Sequence, residues 1–341
     1  MVSKRWRLVT MVFSVILIAS LILVPIAGCT SETPEPTKEP IIIADVGWDS
    51  VQVNNRILAF ILEHGYGYEY ELIPGETIPL FAGLSRGDID VNMEVWVENQ
   101  QEAFDKALAD GTVIDLGSNF SDSWQGWLVP TYVVEGDAER GIEAMAPDLK
   151  SVSDLPRYWE LFKDPEDPSK GRFLSCIAGW ECEIINEVKF EAYGLNENYN
   201  IFLPGSNAAL VGSMVAAYKK GEPWFGYYWA PTWPLGKLDM TPLEEPPYDE
   251  ESWNTNYGCA YPSVRVNIAV NSGLPERAPE VVEFLSNWET TQELHNSILA
   301  YMEDNEADTT EAAIWFLQEY ESLWSEWMPA DVAGKVKAAL P

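Results

Sequence analysis

The sequence predicts an α/β fold of two α/β lobes joined by a two-strand hinge. Three observations carry that expectation. Apolar, strand-length runs alternate with helical stretches twice in the first 120 residues. The same alternation returns between residues 172 and 229. Connecting strands near 128–134 and 264–270 stand where the chain would pass from one unit to the other and back.

The elements follow in order. "IIIADV" (41–46) is a buried-strand run. Asp49, with Gln52 in capping-box spacing, starts a helix whose inner side carries Val51, Ile57, Leu58, Ile61 and Leu62, with Gly65 as its stop. "YEYELI" (68–73) alternates as a strand, 78–85 reads as a helix closed by Gly87, and "DIDVNMEVW" (88–96) as a strand. A helix over 100–109 precedes "TVIDL". Further on come a strand in "RFLSCI" (172–177), helices over 181–193 and 208–220, the second ended by Gly221, and strands in "WFGYYW" (224–229) and "VRVNIAV" (264–270). Helices over 276–288, 291–302, 309–324 and 332–340 complete the chain. The expected lobes are residues 41–130 plus 265–341, and residues 131–264.

Residues 1–28 read as a signal peptide. Lys4, Arg5 and Arg7 precede the uncharged apolar run Leu8–Val24, and "IAGC" (Ile26–Cys29) closes it with small residues and a cysteine. That ending resembles a bacterial lipoprotein box, which makes Cys29 the lipidated first residue; an uncleaved N-terminal anchor is the alternative. Residues 29–40 follow as a flexible tether, rich in Pro, Thr and Glu. The expected place is therefore outside the cytoplasm, at the outer face of the cytoplasmic membrane, which the chain touches only through its lipid.

Without residues 1–28 the chain carries 18 Lys+Arg against 54 Asp+Glu, a net charge of −36. Such a surface repels nucleic acid and anionic lipid, and it suits a cationic ligand. Cys176, Cys182 and Cys259 remain beyond Cys29, and export permits one bridge among them. Cys182 with Cys259, tying distant segments, is the expected pair; Cys176 with Cys182 would instead close a short loop around Trp180. No C-x-x-C pair and no two-histidine ligand spacing is present, so no metal and no cofactor is expected. "GLSRG" (83–87) matches the G-x-S-x-G pattern of serine hydrolases, but Ser85 ends a predicted helix where that motif needs a strand-to-helix turn.

The aromatic residues say more. Trp48, Trp96, Trp180 and Trp229 each stand at the carboxyl end of a predicted strand, two from each lobe. Ligands of such sheets bind at these ends, so the four converge on one cleft. A quaternary ammonium has spread positive charge and no N–H donor, and the negative face of an aromatic ring is what grips it. The N–H groups of Gly47 and Trp48, entering a helix, would anchor a carboxylate. Glu94 would orient the cage or add negative charge near the cation, if it is not simply a solvated strand residue. Asp45, Asp49, Glu94 and Glu181 also keep a polyamine ligand open.

The segment from "ADVGWDS" through "DIDVNMEVWVENQ", together with "GYYWAPTW" (226–233) and "NYGCAYPSVRVNIAVN", resembles the glycine betaine/proline betaine-binding proteins of bacterial ABC importers. The resemblance covers residues 41 to about 300. It implies a type II periplasmic-binding-protein fold that closes around a zwitterion and delivers it to a membrane permease with its ATPase. It places the family's tryptophan cage on Trp96, Trp180 and Trp229, with Trp48 at the glycine–tryptophan turn. Some relatives read W-x-P-H-W where this chain has Thr232 in place of the histidine, which bears on betaine against choline.

Overall fold

The computed structural model describes residues 38–341; the signal segment, Cys29 and the tether up to residue 37 lie outside the described residues. Two five-stranded sheets organise the chain. The first contains β1 (Ile41–Val46), β2 (Tyr70–Gly75), β3 (Val91–Trp96), β4 (Val113–Ser123) and the late β10 (Val264–Asn271), in the order β2-β1-β3-β10-β4. The second contains β5 (Gln125–Pro130), β6 (Gly171–Leu174), β7 (Tyr199–Phe202), β8 (Gly226–Trp229) and β9 (Met240–Pro242), in the order β7-β6-β8-β5-β9. The two orders are equivalent. In each sheet three strands run parallel, and the fourth lies antiparallel to its neighbours on both sides: β10 in the first, β5 in the second.

The chain leaves the first sheet between Ser123 and Gln125 and returns at Val264. Residues 39–341 form one compact unit. β3 is buried at every position and β1 at all but one, the signature of strands covered on both faces. Helix Asp49–Ile61 lays Val51, Ile57, Leu58 and Ile61 against the core, and helix Thr309–Glu319 packs onto it. The C-terminal helix Ala330–Ala339 packs on the turn that follows, Leu62–Tyr66.

Several boundaries differ from the sequence reading. The first helix runs through Gly65 as a π-type turn and ends at Gly67, whose φ of 71° is the left-handed stop. A Cβ on Gly65 would sit 2.9 Å from Val332 and from Val336, so its smallness serves packing. The N-cap of that helix is Trp48, with no side-chain cap, in place of the Asp49 box. The run Thr131–Glu135, expected to extend a connecting strand to 134, is a short helix with Pro130 as its N-cap. The helix expected over 276–288 is two, Leu274–Arg277 and Pro279–Ser286: the ring of Pro279 forces Ala278 out of helical geometry, to φ −144° and ψ 62°. Helix 309–324 breaks at Tyr320, whose φ of −112° and ψ of 34° leave helical geometry. Edge strand β7 escaped the sequence reading, since four residues, three of them half-buried, carry little periodicity.

Candidate functional site

Four strand ends build the site. β1 ends at Val46, and Gly47 turns the chain into Trp48 at the head of a helix. β3 and β8 end on Trp96 and Trp229 themselves. Trp180 follows β6 as the N-cap of helix Glu181–Ala192. The expected convergence is real. Trp48 and Trp180 meet with ring centroids 5.1 Å apart at 78°, Trp180 and Trp229 at 5.3 Å and 77°, and Trp48 and Trp96 at 6.4 Å and 89°. Tyr227 stacks beside Trp229 at 6.0 Å. Successive rings at near right angles make a concave corner, in which a small body meets several ring faces at once.

The pocket they bound, about 350 Å³ out to its open mouth, is completed by Thr77, Asn99, Gln100, Glu181 and Cys182. No lysine, arginine or histidine lines it. Gln100 is buried with neither amide oxygen nor amide nitrogen bonded, so it offers a donor and an acceptor to a ligand. Burial pushes the Glu181 carboxyl above its ordinary range, and Asp49 likewise.

Two carboxylates hold two of the indoles, one of them buried and the other half-buried. Trp48 Nε1 donates to Glu94 Oε2 at 2.7 Å; Ser50 Oγ donates to the same oxygen at 3.1 Å and Asn54 Nδ2 to Oε1 at 2.9 Å. Glu94 is 1% exposed, which excludes the solvated-strand reading. It stands behind the pocket wall, outside the lining. Burial raises its carboxyl from 4.5 to about 7, although every hydrogen bond it accepts pulls the other way. Trp96 Nε1 also faces this carboxylate without closing a hydrogen bond of ordinary geometry.

Trp180 Nε1 donates to Glu76, and Ile78 N donates to Gly179 O at 3.2 Å. Both bonds join the segment after β2 to the segment after β6, one from each sheet. So does the reciprocal amide pair of Asn99 and Gln125, at 3.1 and 2.7 Å, join the two sheets; its Gln125 oxygen also accepts from Tyr227. Gly179 is essential here: its φ is +91°, and a Cβ would lie 2.9 Å from that of Glu76. Gly179→Ala is expected to force the two segments apart and weaken ligand binding at least tenfold, read by calorimetry; unchanged affinity would mean that the closely apposed form is not the binding form.

Other expectations fall elsewhere. Gly47 is exposed and outside the pocket lining, and the Trp48 N–H donates to Val46 O at 3.1 Å, so the turn is no free anion anchor. The expected Cys182–Cys259 bridge is corrected: Cys176 pairs with Cys182, their Cα atoms 6.1 Å apart, enclosing Trp180. Cys259 is a buried free thiol. Its carbonyl is tied instead to the ammonium of Lys189. Ser85 sits inside helix Thr77–Arg86, without a nucleophile elbow. His295 is packed on Phe120 beside Thr290 Oγ1, and burial holds its ring down at about 3, so it stays neutral. No group of residues suited to a metal ion occurs among the described residues.

The profile of the substrate-binding domain of ABC-type glycine betaine transport systems matches residues 39–319. The chain belongs to that family. The glycine betaine-binding periplasmic protein OusX of Dickeya dadantii is 24% identical over 220 residues, 60% of this chain and 63% of its own length. The match thus spans less than two thirds of that relative. A glycine betaine/L-proline-binding protein of Borrelia burgdorferi superposes with a TM-score of 0.71, at 20% identity, over 87% of this chain and 100% of that one. An ABC-transporter choline-binding protein in complex with choline gives 0.69, at 20% identity, over 89% and 98%. The fold is thus of the periplasmic-binding-protein kind, and the family is one of receptors rather than enzymes. No helix among the described residues is long and apolar enough to cross a membrane.

Sequence reading missed several polar residues of the lining, Asn99 and Gln100 among them. Asn99 and Gln100 come shortly after the strand that ends on Trp96, and an uncharged amide pair at a strand end was the available signal.

Proposed function

We propose that the protein is an extracytoplasmic receptor that encloses glycine betaine, or a related quaternary ammonium osmolyte, in the corner formed by Trp48, Trp96, Trp180 and Trp229. It then hands the ligand to the permease of an ABC importer driven by a cytoplasmic ATPase. The observation that carries this reading is the succession of indoles at near right angles around one pocket. Each ring face contributes roughly 0.5–2 kcal/mol to holding a cation. Four faces give about 2–8 kcal/mol, against about 8.2 kcal/mol for a micromolar dissociation constant. The remainder falls to a second anchor. The Gln100 amide and the N–H groups at the start of helix Glu181–Ala192, whose first two residues line the pocket, are suited to a carboxylate.

The equivalent strand orders and the two chain crossings support the finer reading of a type II architecture, with lobes 41–130 plus 265–341 and 131–264 swinging about those crossings. The bonds from Glu76 to Trp180 and from Asn99 to Gln125 would break on opening, so ligand contacts to both walls shift the balance toward closure. Cleavage before Cys29 and lipidation there would keep the receptor at the membrane surface.

Glu181 in the lining favours a second reading, choline, which carries net positive charge where the betaine is neutral overall. Calorimetry of residues 30–341 with glycine betaine, proline betaine, choline and carnitine tests both. Micromolar binding of a betaine is expected. Tenfold tighter choline binding selects the second reading, and failure of all four at millimolar concentration rejects the receptor.

A further inference from the structure

We infer that Glu94 is the buried countercharge of the ligand's ammonium, so that ligand binding expels a proton from this carboxyl. The inference rests on the receptor reading above and adds to it a group that the ligand never touches. Glu94 is enclosed by neutral donors only: the indole of Trp48, the hydroxyl of Ser50 and the amide of Asn54. No lysine, arginine or histidine pairs with it among the described residues. A buried carboxylate ordinarily takes a cationic partner, since desolvation is otherwise uncompensated. Here the missing cation corresponds to the ligand. Trp48 carries the carboxylate on its Nε1 edge and belongs to the pocket wall. A charge-assisted bond to the indole N–H also pushes electron density into the ring, which strengthens the face that meets the ammonium.

The other ionisable groups on neighbouring elements are accounted for. On β1, Asp45 is paired with Arg56; on β10, beside β3, Arg265 is paired with Glu98; on β4, Asp115 accepts from Asn267 of β10; Asp49 stands at the start of the helix that covers Glu94, and Glu181 lies in the pocket lining. None of them bonds to Glu94 or contributes to its raised affinity for a proton, which desolvation sets. With the carboxyl titrating at about 7, the empty site is part protonated at neutral pH. The cation favours the ionised form, so affinity is highest above this value and falls as pH drops through it.

Calorimetry of the purified protein with glycine betaine and with choline, in buffers of different ionisation enthalpy from pH 5.5 to 8, tests this. Neither ligand titrates in that range. If the cation lowers the carboxyl by one unit, about 0.4 proton is released at pH 7 and Kd rises about fivefold from pH 8 to pH 6. Glu94→Gln is expected to bind more weakly at pH 8 and to lose the pH dependence. Binding without proton release and with a flat Kd overturns the inference while leaving the receptor reading intact; that outcome needs only the wild-type protein, so it stands even if Glu94→Gln fails to fold. A wild-type slope retained in Glu94→Gln also overturns it, and Asp49→Asn and Glu181→Gln then identify the carboxyl responsible. Absence of binding at every pH defeats the receptor reading and this inference together.

Discussion

Trp180→Ala is expected to weaken ligand binding by one to two orders of magnitude, the largest loss from any single side chain of the pocket. Its ring is the one that contacts both Trp48 and Trp229, so its removal takes away a face and also the edge that fixes each neighbour. It further strips Glu76 of its indole donor, loosening a bond between the two walls. A single cation–π face accounts for up to about 2 kcal/mol, and a hundredfold loss corresponds to about 2.8 kcal/mol, so the neighbours' displacement must supply the rest. Trp180→Phe separates the causes. It keeps an aromatic face but has no N–H, so recovery of most of the affinity assigns the effect to the face. A loss equal to that of alanine assigns it to the Glu76 bond. The contrast is Trp324→Ala, in a fully buried core residue, which should cost about 3–5 kcal/mol of stability with no selective loss of affinity. A Trp180→Ala protein with a lowered Tm and unchanged Kd would make Trp180 a packing residue and dismantle the cage.

The second large effect is on stability. Lys189 is fully buried, its ammonium 2.5 Å from a Glu245 carboxylate oxygen, bonded to the Cys259 carbonyl, and 4.6 Å from the centre of the Tyr261 ring. Burial lowers its proton affinity, and the charge of Glu245 opposes that shift. Tyr193 donates to the same carboxylate at 2.7 Å. Lys189→Met leaves the Glu245 charge and the Cys259 carbonyl buried without their cation, at a cost of about 3–5 kcal/mol. A fall in Tm of roughly 5–10 °C should follow. Adding Glu245→Leu should restore a large part of it, because removing both charges spares both desolvation costs. Neither residue lines the pocket, so Kd of the folded protein should stay within about twofold. A fall of less than about 2 °C would show that water or a neighbouring group compensates the stranded carboxylate.

The repeating strand–helix order was legible because buried strands such as "IIIADV" and "DIDVNMEVW" are continuous apolar or alternating runs between turn signals. The cage was legible because a large ring at a strand's carboxyl end is a local feature, visible one segment at a time. What the sequence hid is non-local. Glu76 and Trp180 lie 104 residues apart, and Glu94 and Trp48 46 apart, and no periodicity within one segment announces such a bond. The same holds for the thiols. The longer bridge looked the better staple, yet the pairing follows Cα separation, and the turn after β6 brings Cys176 and Cys182 within reach. "TYVVE" failed for a different reason: its β-branched residues favour a strand, but it folds as a short helix capped by Pro130.

The bridge between Cys176 and Cys182 also concerns timing. It closes a short ring, its two ends six positions apart, that holds Trp180 and Gly179, and on the chain-entropy account such a ring removes about 2 kcal/mol of freedom from the unfolded loop. That freedom is surrendered once, at oxidation, so the ligand does not have to order this part of the wall each time it binds. On the proposed reading, the ring that touches both neighbours is thereby the one fixed in advance, and capture reduces to bringing Trp48 and Trp96, the indoles of the other lobe, up to it.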